Sequence, residues 1–193
     1  MVDTPPSLLR RQLVALAVAV VIGVLGVVVW SRTVTDDGDT VVLDEPGEFV
    51  LPGSTNVAQT GNPLPAFDLV DADGANVRLE PDGRPLVVNL WYSTCPPCAR
   101  ELTAFAEVEE EFGDDVRFVG VNPYDTADDM VQFASDRGVR YELLRDLDFA
   151  VGDQLGVVQF PVTLFVSADG EIVAQTGALS GSDLRDYTAE LLA

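Results

Sequence analysis

The hydrophobic pattern of this chain changes character twice. From Leu13 to Trp30 it reads LVALAVAVVIGVLGVVVW, without a single charge. That run is just long enough to cross a bilayer as a helix and predicts a transmembrane anchor over 12–30. Arg10 and Arg11 precede it and Trp30 closes it. Residues 1–11 are therefore expected in the cytoplasm and everything after Trp30 outside, a single-pass arrangement in the cell membrane. A cleaved signal peptide fits less well, because the run is longer than a secretory core and no A-x-A site follows. No cysteine lies near it, which excludes a lipoprotein anchor. Residues 31–62 are rich in Gly, Pro, Asp, Thr and Ser, lack a sustained period and read as a linker. Within them Val41–Leu43 and Phe49–Leu51 are candidate short strands.

After Pro65 the pattern becomes regular. AFDLVD and NVRL alternate around DADGA, whose Asp-Gly predicts a hairpin. PLVVNLWY (85–92) is a near-continuous apolar run, the mark of a strand buried on both faces. Ala99, Leu102, Phe105, Ala106 and Phe112 recur at helical spacing over 96–112, and Gly113 is expected to stop that helix. VRFVGVN (116–122) predicts a second buried strand. TADDMVQFASDRG (126–138) predicts a helix capped by Thr126 and ended by Gly138. A short strand follows at 141–144 and a short helix at 148–156. PVTLFVS and EIVAQTG flank ADG as another hairpin. SDLRDYTAELL (182–192) closes the chain as an amphipathic helix capped by Ser182 or Asp183. Strands alternating with helices imply an α/β domain over 63–193, with a largely parallel central sheet and an antiparallel end.

Charge narrows the class of partner. The formal net charge is −21, there is no histidine, and every basic residue is arginine. Residues 1–35 carry three arginines and one aspartate, whereas the remainder carries 31 acids and 8 arginines. Such a surface repels phosphate backbones, so a nucleic-acid partner is not expected. The acidity itself reads as a solvated surface.

The only two cysteines, Cys95 and Cys98, share the tetrapeptide CPPC. A zinc clip would need further cysteine or histidine ligands, and none exists, so no metal or other cofactor is expected. A structural staple would close so short a loop that it stabilises little. A redox pair fits the placement. Cys95 follows a buried strand where a helix begins, and Pro96 takes the first helical position, which proline favours. Free N–H groups and the helix dipole stabilise a thiolate there. Cys95 is thus expected to be the exposed, low-pKa nucleophile and Cys98 the buried resolving thiol. Glu101, three residues beyond Cys98, shares its helical face and is a candidate general base. An ordinary surface glutamate is the competing reading. Asn89, on the preceding strand, cannot accept a proton.

PLVVNLWYSTCPPCARELTAF, with the later GVVQFPVTLFVSADGEIVAQTGAL, resembles the extracytoplasmic TlpA/ResA-type thiol–disulfide oxidoreductases. These are membrane-anchored thioredoxin-fold proteins associated with cytochrome c maturation. The resemblance spans about residues 63–193 and implies a thioredoxin-like fold with an N-terminal β-hairpin extension. It implies a cis Phe160–Pro161 bond beside the cysteine pair, with the Phe160 backbone pairing with an extended substrate segment. It places Glu101 where the family carries an active-site glutamate. Thr94, Pro96 and Pro97 complete the expected substrate contacts, and Trp91 falls where the family often has an aromatic under the site. Three positions depart from the family pattern: Thr94 for a tryptophan, Tyr92 for a small residue, and Val162 for a threonine or similar. All three are expected to face the substrate groove.

The implied activity is reduction of protein disulfides, possible substrates including the cysteine pair of apocytochrome c. A membrane electron donor would restore the reduced state, because that compartment is oxidising. The alternatives are an oxidant on the same fold, a thiol peroxidase, and a tethered non-enzymatic binding module. Peroxiredoxin sites place a threonine three residues before the reactive cysteine. Here Tyr92 holds that position.

Overall fold

The computed structural model describes residues 55–193, together with Leu13. The expected anchor and most of the expected linker lie outside the described residues, as do both candidate short strands. Among the described residues no helix is long and apolar enough to cross a membrane.

Among the described residues seven strands and four helices appear in the expected order: β1 (Phe67–Val70), β2 (Asn76–Leu79), β3 (Leu86–Leu90), α1 (Pro96–Phe112), β4 (Arg117–Asn122), α2 (Ala127–Ser135), β5 (Glu142–Arg145), α3 (Ala150–Leu155), β6 (Val162–Val166), β7 (Ile172–Thr176) and α4 (Gly181–Glu190). They form one sheet in the order β2-β1-β5-β4-β3-β6-β7. This is a thioredoxin-like α/β fold extended at one edge by the β1–β2 hairpin.

The sheet is less parallel than expected. Only β3–β4 and β4–β5 pair in parallel, while β1–β2, β1–β5, β3–β6 and β6–β7 are antiparallel. Connection length explains part of this. The tight turns at 71–75 and 167–171 can join only antiparallel neighbours, whereas α1 and α2 are long enough to return the chain for parallel pairing. β6 adds a reversed strand beside β3, and the apolar runs alone do not encode that direction.

β3 is buried along its whole length. Its alternation sends Val88 and Leu90 to one core, with Leu64, Val121, Leu155, Val162 and Leu164. Val87 and Trp91 point to the other, with Cys95, Cys98, Leu102, Phe105, Met130 and Leu184. Asn89 lies in phase with Val87 and Trp91, and so on the α1 side of the sheet. Leu102, Phe105 and Val108 form the buried stripe that fixes α1 there, each worth about 1.5–3 kcal/mol when fully buried.

Helix ends show where local signals compete. Thr126 caps α2 as expected, accepting from the Asp129 N–H. α4 starts one turn-position earlier than expected, because Ser180 rather than Ser182 or Asp183 supplies the cap oxygen, to the Asp183 N–H. Gly113 ends α1 with φ −62°, an ordinary right-handed value, so its glycine freedom is not what stops the helix.

Residues 56–62 lie along the domain as a strap. Asn56 Nδ2 donates to the Gln159 carbonyl at 2.9 Å, and Asn56 Oδ1 accepts the N–H groups of Val158 and Gln159 at 2.7 and 2.8 Å. Beside it the Gln59 N–H donates to Gln175 Oε1, Gln59 Nε2 donates to the Leu155 carbonyl, and Gln175 Nε2 donates to the Val57 carbonyl. A bridge between Pro63 and Glu171 continues the contact.

Candidate active site

β3 ends at Leu90, and the chain turns through Tyr92–Thr94 into α1. Asp125 fixes that turn, accepting from the Ser93 N–H and Ser93 Oγ, both at 2.7 Å. Asn122 steadies Asp125 from its own side, donating Nδ2 at 2.6 Å. Cys95 is the N-cap residue, in extended conformation, and Pro96 and Pro97 are the first two helical residues. Prolines there forfeit no intrahelical bond, since those N–H groups would be unpaired anyway. The first free donor is the Cys98 N–H, and it points at Cys95 Sγ at 3.3 Å. No acidic side chain lies in that first turn. A negative sulfur at position 95 therefore meets an N–H, the helix dipole and no competing carboxylate of the turn.

Cys95 and Cys98 form a disulfide. Cys98 is wholly buried, as expected. Cys95 is not the exposed residue expected of it: it is 2 % exposed. The bond to Cys98 draws its sulfur against the core cluster containing both cysteines, and Tyr92 and Phe160 pack on the same cluster. Its sequence neighbours Thr94 and Pro96 are exposed, and Pro97 is partly so.

The Phe160–Pro161 bond is cis. Phe160 stands edge-on to Tyr92 with ring centroids 5.2 Å apart, and tilted to Tyr124 at 5.8 Å. Tyr124 stacks on Phe149 at 5.9 Å and is itself 60 % exposed. Tyr92 and Phe160 thus pack on the cluster that holds the disulfide, and Tyr124 and Phe149 extend the aromatic group from them. Tyr92 belongs to this face, as expected of a groove position, and Thr94 is exposed beside it. Val162 does not belong to the groove. It is fully buried in the opposite core, because strand alternation after Pro161 turns its side chain inward.

Glu101 is 3 % exposed, which removes the reading as a surface glutamate. Oε2 accepts the Leu179 N–H at 3.1 Å, and Oε1 accepts Asn89 Nδ2 at 3.0 Å. Burial pushes its carboxyl up from 4.5 to about 7, against the opposing pull of those two bonds and of Arg100. The carboxyl of Glu101 can therefore gain or lose a proton near neutrality. Its helical spacing puts it on the face of Cys98.

The aromatic cluster, the Ser93–Asp125 clamp and the Asn89 link to Glu101 were not found from sequence. Asn89 did carry a signal: it is the one polar residue inside PLVVNLWY. A polar side chain in the middle of a strand buried on both faces must find a partner there. Among the described residues no cluster of three or more metal-ligating side chains occurs.

Comparison with known proteins narrows the chemistry. The model of the AhpC/TSA family matches residues 60–175. The chain belongs to the AhpC/TSA family. Within it, the chain is 28 % identical over 141 residues to thiol-disulfide oxidoreductase ResA of Bacillus subtilis, covering 72 % of this chain and 78 % of that protein. It is 24 % identical over 169 residues to thiol:disulfide interchange protein DsbE of Escherichia coli, covering 85 % and 84 %. A secreted Mycobacterium tuberculosis disulfide oxidoreductase superposes with a TM-score of 0.57 at 26 % identity, over 64 % of this chain and 95 % of that one. These relatives and the paired cysteines agree on one activity: the chain is a thiol–disulfide oxidoreductase of the TlpA/ResA type.

Proposed function

We propose that this AhpC/TSA-family member reduces disulfides of protein substrates on the extracytoplasmic side of the cell membrane. In the reduced enzyme the Cys95 thiolate attacks one sulfur of a substrate disulfide. The Cys95–substrate bond forms, and the substrate disulfide breaks to release a thiolate. Cys98 then gives its proton to Glu101 and attacks Cys95 Sγ. The mixed disulfide breaks, the substrate leaves with both sulfurs reduced, and the enzyme holds the Cys95–Cys98 disulfide. Two electrons have passed to the substrate. Glu101 is the general base, and Phe160, Pro161, Thr94, Pro96 and Pro97 form the contact surface.

The observation that carries this reading is the Cys95–Cys98 disulfide at the start of α1, with a buried carboxyl of neutral pKa one turn further along. The resemblance to the TlpA/ResA-type oxidoreductases, a family associated with cytochrome c maturation, supports apocytochrome c as the substrate class. The uncharged run of residues 13–30 supports a tether through one membrane helix, and a membrane electron donor then resets the pair. The Cys95 sulfur, covered in the disulfide, becomes free to attack once the bond to Cys98 is broken.

The test is a Cys98→Ser full-length chain expressed in its own membrane. It should accumulate a mixed disulfide at Cys95 that mass spectrometry resolves to a secreted or membrane-facing substrate protein. A measured reduction potential gives the direction. A value near thioredoxin's, about −270 mV, fits a reductant, and one near about −120 mV reverses the flow. Peroxide consumption by the purified chain would move it to the peroxidase branch of the family.

A further inference from the structure

We infer that Asn89 is the positioning residue that serves Glu101 in both of its charge states, holding the carboxylate with its amide nitrogen and the protonated carboxyl with its amide oxygen. The inference deepens the proposed function and rests on Glu101 being the base there.

Asn89 and Thr163 are directly opposite on β3 and β6, so their side chains leave the sheet on the same face. Asn89 Nδ2 donates to Glu101 Oε1 at 3.0 Å and to Thr163 Oγ1 at 3.1 Å. Both amide N–H groups are used. Asn89 Oδ1 is buried and has no partner among the described residues. Buried carbonyl oxygens are rarely left so.

That free oxygen matches what happens when Cys98 gives up its proton. The neutral carboxyl of Glu101 gains an O–H that needs an acceptor. The Leu179 N–H on its other oxygen can only donate. A half-turn of the Asn89 amide puts Oδ1 where Nδ2 stood, facing both neighbours. Oδ1 then accepts the Glu101 O–H. It also accepts the Thr163 hydroxyl, which can donate as readily as it accepts. The same three side chains thus stay bonded to one another in either state, by reversing the sense of both bonds to the Asn89 amide. A carboxylate at position 89 could not do this, and a valine at 163 could not follow the reversal.

Of the two groups hydrogen-bonded to the Glu101 carboxyl, the Leu179 N–H and the Asn89 amide, only the amide can switch from donor to acceptor. On its own helix stand Cys98 and Arg100. From just before β5 comes Tyr141, whose own hydroxyl feels the Glu101 and Glu109 charges. From the loop before α4 comes the Leu179 N–H. The chain has no histidine.

The experiment follows resolution of a coloured thionitrobenzoate mixed disulfide placed on Cys95 of the full-length chain in detergent. Attack by Cys98 releases the dye, and its rate is recorded against pH. Wild type should show a midpoint near 7. Asn89→Leu should raise that midpoint by a unit or more, losing tenfold or more of the rate at pH 7, while keeping the plateau at high pH. Asn89→Asp keeps the shape of the side chain, so no cavity opens, and should raise the midpoint further through a like charge. Infrared difference spectra give an independent readout. The protonated Glu101 carbonyl band should shift between wild type and Asn89→Leu, as the O–H loses its acceptor while the Leu179 N–H stays on the other oxygen. Glu101→Gln should flatten the profile. An unmoved midpoint and an unshifted band in a folded Asn89→Leu, with Glu101→Gln flat, overturn the role of Asn89 and leave Glu101 as base. A Glu101→Gln profile identical to wild type overturns both.

Discussion

Two carboxylates of this domain are almost equally buried, Glu101 at 3 % and Asp146 at 2 % exposure, yet they are built for different ends. Burial holds both above the ordinary carboxylate range. Asp146 spends both oxygens on the start of α3, accepting the Ala150 N–H at 2.7 Å and the Val151 N–H at 2.9 Å. It replaces a cap that Phe149 cannot supply, since the N-cap position there has no side-chain bond and sits at φ 55°. Its partners are fixed donors and leave nowhere for a proton to go. Glu101 instead has one fixed donor and one amide that is free at its oxygen. Burial raises a carboxyl's proton affinity; the nature of its partners decides whether that affinity can be used.

The largest expected consequence is in stability against pH. The folded-state pKa of Glu101 lies near 7 and the unfolded value near 4.5. Between those values the folded oxidised protein holds a proton that the unfolded chain has lost. Glu101 therefore favours folding below about pH 4.5, and that advantage fades as pH rises to about 7. The change is about 3 kcal/mol at most. Urea denaturation of wild type against Glu101→Gln should show the difference between the two falling over that window and flat above it. A constant difference would place the carboxyl in the ordinary range.

Next in size is catalysis. Glu101→Gln should slow the resolving step at neutral pH by about 10²-fold, the usual worth of a positioned base. Asp146→Asn should leave the midpoint of the rate profile where it is. Stopped-flow release of a thiol from Cys95 measures both, and a shifted midpoint in Asp146→Asn would erase the distinction between the two acids.

Stability at a single pH then separates them in the other direction. Asp146→Asn keeps one acceptor and turns an NH2 toward a backbone N–H of α3, at a cost of about 2 kcal/mol. Chemical denaturation at pH 7 reads it. The smallest effect is expected at the strap. Asn56→Ala removes three bonds from the segment just before Phe160–Pro161, yet part of the site is solvent-accessible and water can replace them. A loss of about 1 kcal/mol is expected, with a modest rise in KM for a protein substrate and little change in kcat.

Much of the domain was legible because its signals are local. Pro96 and Pro97 announce a helix start, and the near-continuous apolar runs announce β3 and β4. Thr126 announces a cap, because its side chain needs only the N–H three residues on. Where the sequence misled, a choice between competing partners decided the outcome. The direction of β6 beside β3 made that central pairing antiparallel, and Val162 turned inward with that strand. Ser180 took the cap of α4 ahead of two equally suitable neighbours. Cys95 was expected to be open to solvent, a property of a lone thiol, whereas its disulfide and the rings of Tyr92 and Phe160 cover it.

By itself the sequence determined the order of elements, the sulfur pair at a helix start and the helical phase that sets Glu101 behind Cys98, since spacing and local propensity reach only a few residues along the chain. The tertiary structure alone decided that Glu101 is dry, that Asn89 meets it with Thr163, 74 residues away, on the same amide, and that Asp146 is occupied elsewhere. The proton affinity of a carboxyl depends on the dielectric and the donors around it, and those arrive only when the sheet and α1 pack together.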